Sequence, residues 1–90
     1  MRFEWGPQKA QSNQKKHGVS FEEAATVFTD LLALFVEDES HEERMVLIGE
    51  SGSQRILFVV FVEPDEDSIR IISARRTTSR ERRRYEEGEF

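Results

Sequence analysis

No cysteine occurs in the 90 residues of this chain. Disulfides and thiolate metal sites are therefore excluded, and the composition fits a reducing compartment. Proline occurs twice, tryptophan once, tyrosine once and histidine twice. With so few histidines, and no H-E-x-x-H or D-x-D-x-D pattern, no metal cluster is in view and no cofactor is expected. Long apolar runs are missing too. The longest, Ile56 to Val62, is seven residues, against roughly 20 for a bilayer span. The N-terminal MRFEWGPQKAQ lacks the apolar stretch of a secretory leader. The expectation is a cytoplasmic protein with no membrane contact. At 90 residues it reads as a single domain, residues 1–90. Such a domain buries roughly 60–65% of its unfolded surface, so its core is thin.

What the sequence does have is charge, and the charge is segregated. The net formal charge is −5. Yet Ile69 to Arg84 holds seven arginines against one acid, Glu81, a local balance of +6. Glu37 to Glu43 holds five acids with no lysine or arginine, and Glu63 to Asp67 holds four. Most charge runs are solvated loops and helix faces. This basic run differs in following directly on a strand-like segment and in being built of arginine, whose planar fork suits bidentate phosphate contacts.

Periodicity and caps give the element order. Arg2 to Trp5 alternates as a short strand. Pro7 starts a helix that runs to about His17, and Gly18 stops it. Ser20 and Glu23 form a capping box for a second helix, with Phe21, Ala24, Ala25 and Phe28 on its apolar face, ending near Asp30. Strands are expected over Leu31–Val36, Arg44–Gly49, Ile56–Val62 and Ser68–Ala74. Ser51–Gln54 and Pro64–Asp67 are the turns between the later ones. Ile56–Val62 is apolar on both faces and reads as the central, doubly covered strand. Thr78 and Glu81 form a second capping box, opening a terminal helix that Gly88 closes. The order is β-α-α-β-β-β-β-α. The fold class is α+β, an antiparallel sheet with two N-terminal helices, the second laid on the sheet, and a C-terminal helix.

Three separated blocks then carry a resemblance. They are WGPQKAQSNQKKHGVSFEEA from Trp5, ERMVLIG from Glu43, and RIISARR from Arg70 with E-x-x-x-Y-E following at Glu81. Together they resemble the BrnT family, toxins of bacterial toxin–antitoxin pairs, over Trp5 to Glu87. The resemblance implies a RelE-like ribonuclease fold. It also implies neutralisation by a BrnA-type ribbon-helix-helix antitoxin, expected as a 2:2 heterotetramer, and operator DNA bound only through that antitoxin. The antitoxin is expected to cover the basic face. One departure is visible: the family usually has Asp where this chain has Gly6. Gly6 falls at the N-cap of the first helix, where glycine costs only a few tenths of a kcal/mol relative to a good cap.

Metal-free RNA cleavage needs a base to take the 2′-OH proton, an acid for the leaving 5′-oxygen, and cations for the phosphorane. Lys9, Asn13, Lys16 and His17 share one helical face. Lys9 and Lys16 either serve RNA or pack their stems over Trp5 with the heads in water. His17 belongs to the side-chain class suited to proton transfer near neutrality, but at a helix C-terminus a histidine also complements the dipole. His41, in DESHEER, reads as a solvated loop residue. Arg75 and Arg76 leave the last strand just before a capped helix, where their charge and the helix N–H groups would converge as an anion site. Arg80 continues the cluster, and Arg44 could project beside it. Glu81 is a general-base candidate, more simply read as the capping-box acid. Tyr85 either anchors its helix or stacks on RNA. The candidate catalytic set is thus Lys9, His17, Arg75, Glu81 and Tyr85, and the RNA-binding set is Lys16, Arg44, Arg76 and Arg80.

A phosphate-facing arginine cluster predicts that RNA affinity falls steeply with salt despite the acidic net charge. For a single strand the slope of log K on log salt should be about −0.7 per phosphate contact. A titration series in KCl measures it, and a flat response would mean that the cluster does not meet phosphate.

Overall fold

A computed structural model describes residues 1–88. Strand β1 (Arg2–Glu4) gives way at Gly6 to helix α1 (Pro7–His17). Proline at the first helical position forfeits no hydrogen bond. Gly18, at φ 70°, ends α1 in the left-handed region with its N–H on the Gln14 carbonyl. Helix α2 (Phe21–Thr26) is capped by the Ser20 hydroxyl, which accepts the Glu23 N–H. Only this half of the expected box forms. The Glu23 carboxylate turns instead to the Arg55 guanidinium and the Ser51 hydroxyl. One 3-10 turn, Val27–Thr29, completes α2.

An antiparallel meander follows: β2 (Leu34–Glu37), β3 (Met45–Glu50), β4 (Ile56–Asp65) and β5 (Ser68–Arg76). Helix α3 (Ser79–Glu87) has both halves of the Thr78–Glu81 capping box, and Gly88 closes it at φ 71°. The expected α+β class and element order hold. Boundaries differ in two informative places. The strand expected from Leu31 starts only at Leu34, because the Asp30 carboxylate accepts the Leu32 N–H and the Asp30 carbonyl accepts the Ala33 N–H. That local turn overrides the strand propensity of the two leucines, which are left exposed. Pro64 lies inside β4, at an irregular pairing between Val62 and Asp65 where no regular ladder bond is required of it.

The sheet order is β1-β5-β4-β3-β2, which puts β4 at the centre as expected. Strand β1 is the exception to the antiparallel reading. It pairs parallel with β5, with Phe3 opposite Ile69, the intervening helices and meander serving as its crossover. The two faces of the sheet are unequally covered. On one, Leu57, Val59 and Phe61 of β4 meet Phe21, Ala24 and Val27 in the main core. Edge-on aromatic contacts tie it together, Trp5 to Phe21 at 5.9 Å and Phe28 to Phe61 at 4.9 Å. On the other face Val46, Ile48 and Leu34 form a smaller cluster under Tyr85 of α3, and Phe58 and Val60 there are only half-buried.

Helix α1 is fixed by one buried side chain. Strand β1 covers β5 only from Ser68 to Arg70, so the outer edge of β5 beyond Arg70 lacks a strand neighbour. Asn13 takes that place. Its carboxamide accepts the Ala74 N–H at 3.1 Å and donates to the Ala74 carbonyl at 2.8 Å, with a further bond to the Val19 carbonyl at 3.0 Å. Replacing Asn13 by alanine would leave buried backbone groups unpaired at about 1–3 kcal/mol each. The Asn13→Ala variant should therefore lose about 3 kcal/mol of stability in urea unfolding. A loss under 1 kcal/mol would mean that water or another side chain replaces the amide.

Candidate functional site

The polar face of α1 opens onto a shallow groove of about 420 Å³ beside the outer edge of β5. Lys9, Ser12, Lys16 and His17 line it from the helix, and Ile72 and Ser73 from the strand. Helical spacing explains the grouping, since positions 9, 12, 16 and 17 fall on one face. Asn13 lies behind them, with both ends of its amide committed to backbone. The groove therefore has a wall fixed by hydrogen bonds and exposed cationic tips. Lys9 and Lys16 are exposed and His17 is half-buried. Ser12 and Ser73 were not singled out from sequence. Ser12 carried a usable signal, sitting three residues after Lys9 and four before Lys16. Ser73 carried none, because only the tertiary position of α1 brings it there.

Arg75 and Arg76 do not converge on one spot. Consecutive strand residues point to opposite faces. Arg75 is paired with Phe58 and stacks its guanidinium over that ring, 4.0 Å from the centroid. It also binds Glu81 through two parallel bonds of 2.9 Å. Arg76 is paired with Leu57, on the α2 side, and its charge reaches Glu23. The expected anion site at the start of α3 is also partly filled from within, because Glu81 accepts the Thr78 N–H while Thr78 accepts the Glu81 N–H.

Arg75, Glu81 and Tyr85 instead form the polar underside of α3. Burial pushes the Glu81 carboxyl up, but the Arg75 guanidinium and the Thr78 N–H outweigh it and hold the carboxyl below its ordinary range. An acid so stabilised in its charged form is a weak base. Tyr85 donates to Asp30 Oδ2 at 2.6 Å. Burial, with the Asp30 carboxylate beside it, pushes the Tyr85 phenol up to about 12. Asp30 is raised by burial and lowered further by the N–H groups of Glu50 and Leu32 and by the Tyr85 hydroxyl, ending below its ordinary value. From sequence Asp30 was placed only as the end of α2 or the beginning of the turn after it.

Arg44 is also displaced from the expected cluster. It precedes Met45, which pairs with Phe61 and thence Ile71, whereas Arg76 pairs with Leu57 and thence Gly49. Arg44 thus lies towards the other end of the sheet, in a hollow with Glu37, Asp38, Glu39 and Glu42. Among the arginines from 70 to 84, Arg70 pairs with Glu4, Arg75 with Glu81 and Arg82 with Glu86. Arg76, Arg80, Arg83 and Arg84 form no ion pair among the described residues. No group of three potential metal-ligating side chains is present among the described residues. No helix among them is long and apolar enough to cross a membrane.

Residues 5–81 match the family described as "Ribonuclease toxin, BrnT, of type II toxin-antitoxin system". The chain belongs to the BrnT family. Its fold is that of a solved member, the ribonuclease toxin BrnT of Brucella abortus, known from a crystal structure at 1.1 Å. The two superpose with a TM-score of 0.72 at 25% identity, over 88% of this chain and 99% of the Brucella chain. No curated protein matches the chain. The BrnT matched region spans the whole α1 groove and ends at Glu81, the residue that locks α3 to Arg75. A type II family also implies a protein antitoxin as partner.

The α3 lock has a pH signature. Above pH 10 an unfolded chain ionises its tyrosine, while the folded chain keeps Tyr85 protonated up to about 12. The unfolded state then binds fewer protons, so stability falls as pH rises through that window. Tyr85 is the only tyrosine, so Tyr85→Phe should remove this alkaline loss, at a cost of about 1–2 kcal/mol at neutral pH for the bond to Asp30. The carboxyls of Glu81 and Asp30 act with opposite sign. Held low in the folded state, they stabilise it above roughly pH 4, and that contribution is lost as pH falls below it. Urea midpoints from pH 3 to 12 for both proteins test this.

Proposed function

We propose that this chain is an endoribonuclease toxin that cleaves RNA in the groove between α1 and the outer edge of β5. The observation that carries the proposal is the gathering of Lys9, Lys16 and His17 in one groove on a wall fixed by Asn13. The RNA brings its own nucleophile. The 2′-OH attacks the adjacent phosphate, and the 2′,3′-cyclic phosphate and a free 5′-OH are the products. His17 takes the 2′-OH proton, one lysine ammonium gives a proton to the leaving 5′-oxygen, and the other lysine holds the phosphate and takes up charge on the phosphorane. No metal is required in this scheme. Arg76, Arg80, Arg83 and Arg84, free of ion pairs among the described residues, extend the attraction for backbone beyond the groove. Arg75, Glu81 and Tyr85 are positioning residues in this reading: they hold α3 and do not touch RNA. Arg44, among acids, is outside the RNA surface. The cellular result is loss of translation and growth arrest. A BrnA-type antitoxin relieves it, with two toxins on one antitoxin dimer, and operator DNA is reached only through that partner.

Gly6 stands where the family usually has aspartate. It caps α1 with extended backbone, φ −79° and ψ 131°, and no side-chain bond. A Cβ at Gly6 would lie 3.8 Å from the Arg70 guanidinium, which here pairs with Glu4 instead. Glu4 thus supplies the carboxylate that an aspartate at this position would bring near Arg70.

Incubating the purified chain with RNA in EDTA is the decisive experiment. Cleavage with cyclic phosphate ends is expected, and His17→Gln should slow it about 100-fold or more. RNA binding without cleavage by the wild-type chain would overturn the enzyme reading, and wild-type rates in His17→Gln would move the chemistry out of this groove.

A further inference from the structure

The sheet has a second free edge, far from the groove. Strand β2 ends the order, and its outer side has no neighbour among the described residues. Exposed edges are usually short, proline-bearing or lysine-guarded, since an open ladder recruits other chains. This one is short, but Leu31 to Val36 contains neither lysine nor proline. It is also apolar: Leu31 is 98% exposed, Leu32 74% and Phe35 61%. Phe35 sits edge-on to Phe61, with ring centroids 6.1 Å apart, so its ring continues the main core to the surface. Directly after β2 come the five acids between Glu37 and Glu43. Four of them, Glu37, Asp38, Glu39 and Glu42, flank Arg44 in one hollow beside the strand.

We propose that the β2 edge docks an extended, basic segment of the antitoxin as a sixth strand. The segment's apolar side chains would meet Leu31, Leu32 and Phe35, and its lysines or arginines would meet the acidic loop. Strand addition of this kind takes affinity from main-chain bonds and selectivity from alternate side chains. Charge decides the occupant. A second copy of this chain would bring another five-acid loop and a net charge of −5 to the same edge, whereas a basic segment neutralises the acids present. The inference rests on the reading that the chain has a protein antitoxin, and it assigns the anchoring contact to the edge opposite the RNA groove. The basic face expected from sequence to be covered is then reached only by whatever the antitoxin extends beyond this anchor.

The test uses the full chain and a BrnA-type antitoxin. In calorimetric titration, Phe35→Lys and the double variant Glu39→Lys/Glu42→Lys should each weaken antitoxin binding at least tenfold. RNA cleavage by the free variants should equal wild type, which also reports that they fold. Hydrogen exchange should show the Leu34–Glu37 amides newly protected in the complex. Unchanged affinity in both variants, or no protection of β2, overturns this docking site while leaving the toxin–antitoxin reading intact. Failure of the wild-type chain to bind that protein at all overturns both. A dimer of the chain alone that Phe35→Lys disperses would assign the edge to a second copy and overturn the proposal.

Discussion

The side-chain amide of Asn13 is what the rest of the structure depends on. A helix has no spare backbone groups to offer sideways, so α1 cannot continue a sheet. Asn13 solves this by presenting one acceptor and one donor to Ala74 in the manner of a neighbouring strand. The same amide holds the Val19 carbonyl and so fixes the turn that delivers Val19 and Phe21 into the core. The placement of Lys9, Lys16 and His17 against β5 follows from this contact. The helix has no other fully buried side chain with which to set its rotation.

Helix α3 is held by different means. None of its described residues is fully buried, and its apolar contact is Tyr85 over the cluster of Leu34, Val46 and Ile48. Two polar contacts add to it: Arg75 with Glu81 at the start and Tyr85 with Asp30 further along. Asp30 also accepts the N–H of Glu50, which ties the end of α2, the end of β3 and α3 to one carboxylate. Gly49 lies tight beside it, where a Cβ would come within 2.9 Å of Ala33 Cβ and Val27 Cγ1. The arginines of an acidic chain are therefore gathered at one end for two reasons. Arg75 builds α3 onto the sheet and Arg70 ties β5 to β1, while Arg76, Arg80, Arg83 and Arg84 have no ion pair among the described residues.

Periodicity and caps made most of the fold legible. Pro7, Gly18, Ser20, Thr78 and Gly88 mark real helix ends because capping chemistry is local and needs no tertiary knowledge. The miscast start of β2 is also local in origin, but the signal was Asp30 rather than the two leucines that follow it. The parallel pairing of β1 could not be read, since nothing in three residues distinguishes a parallel from an antiparallel neighbour. At the site, the α1 face was legible from spacing alone. The fates of Arg75 and Arg76 were obscured by treating neighbours in sequence as neighbours in space, when strand alternation separates them. Arg44 depended on sheet register and was beyond reach.

The Asn13–Ala74 contact spans 61 positions of sequence, and β1 meets β5 across a similar distance. Contacts of such separation form late, after the loop between them has been closed. During synthesis Asn13 of α1 emerges 61 positions ahead of the Ala74 backbone on which it docks. The N-terminal segment that carries both lysines and the histidine has no wall to lean on until Ala74 has emerged and the meander has closed. A growing chain thus holds the parts of the groove without its shape. The groove therefore takes its form only after β5 has been made, so the order of assembly separates the making of its parts from the making of its shape.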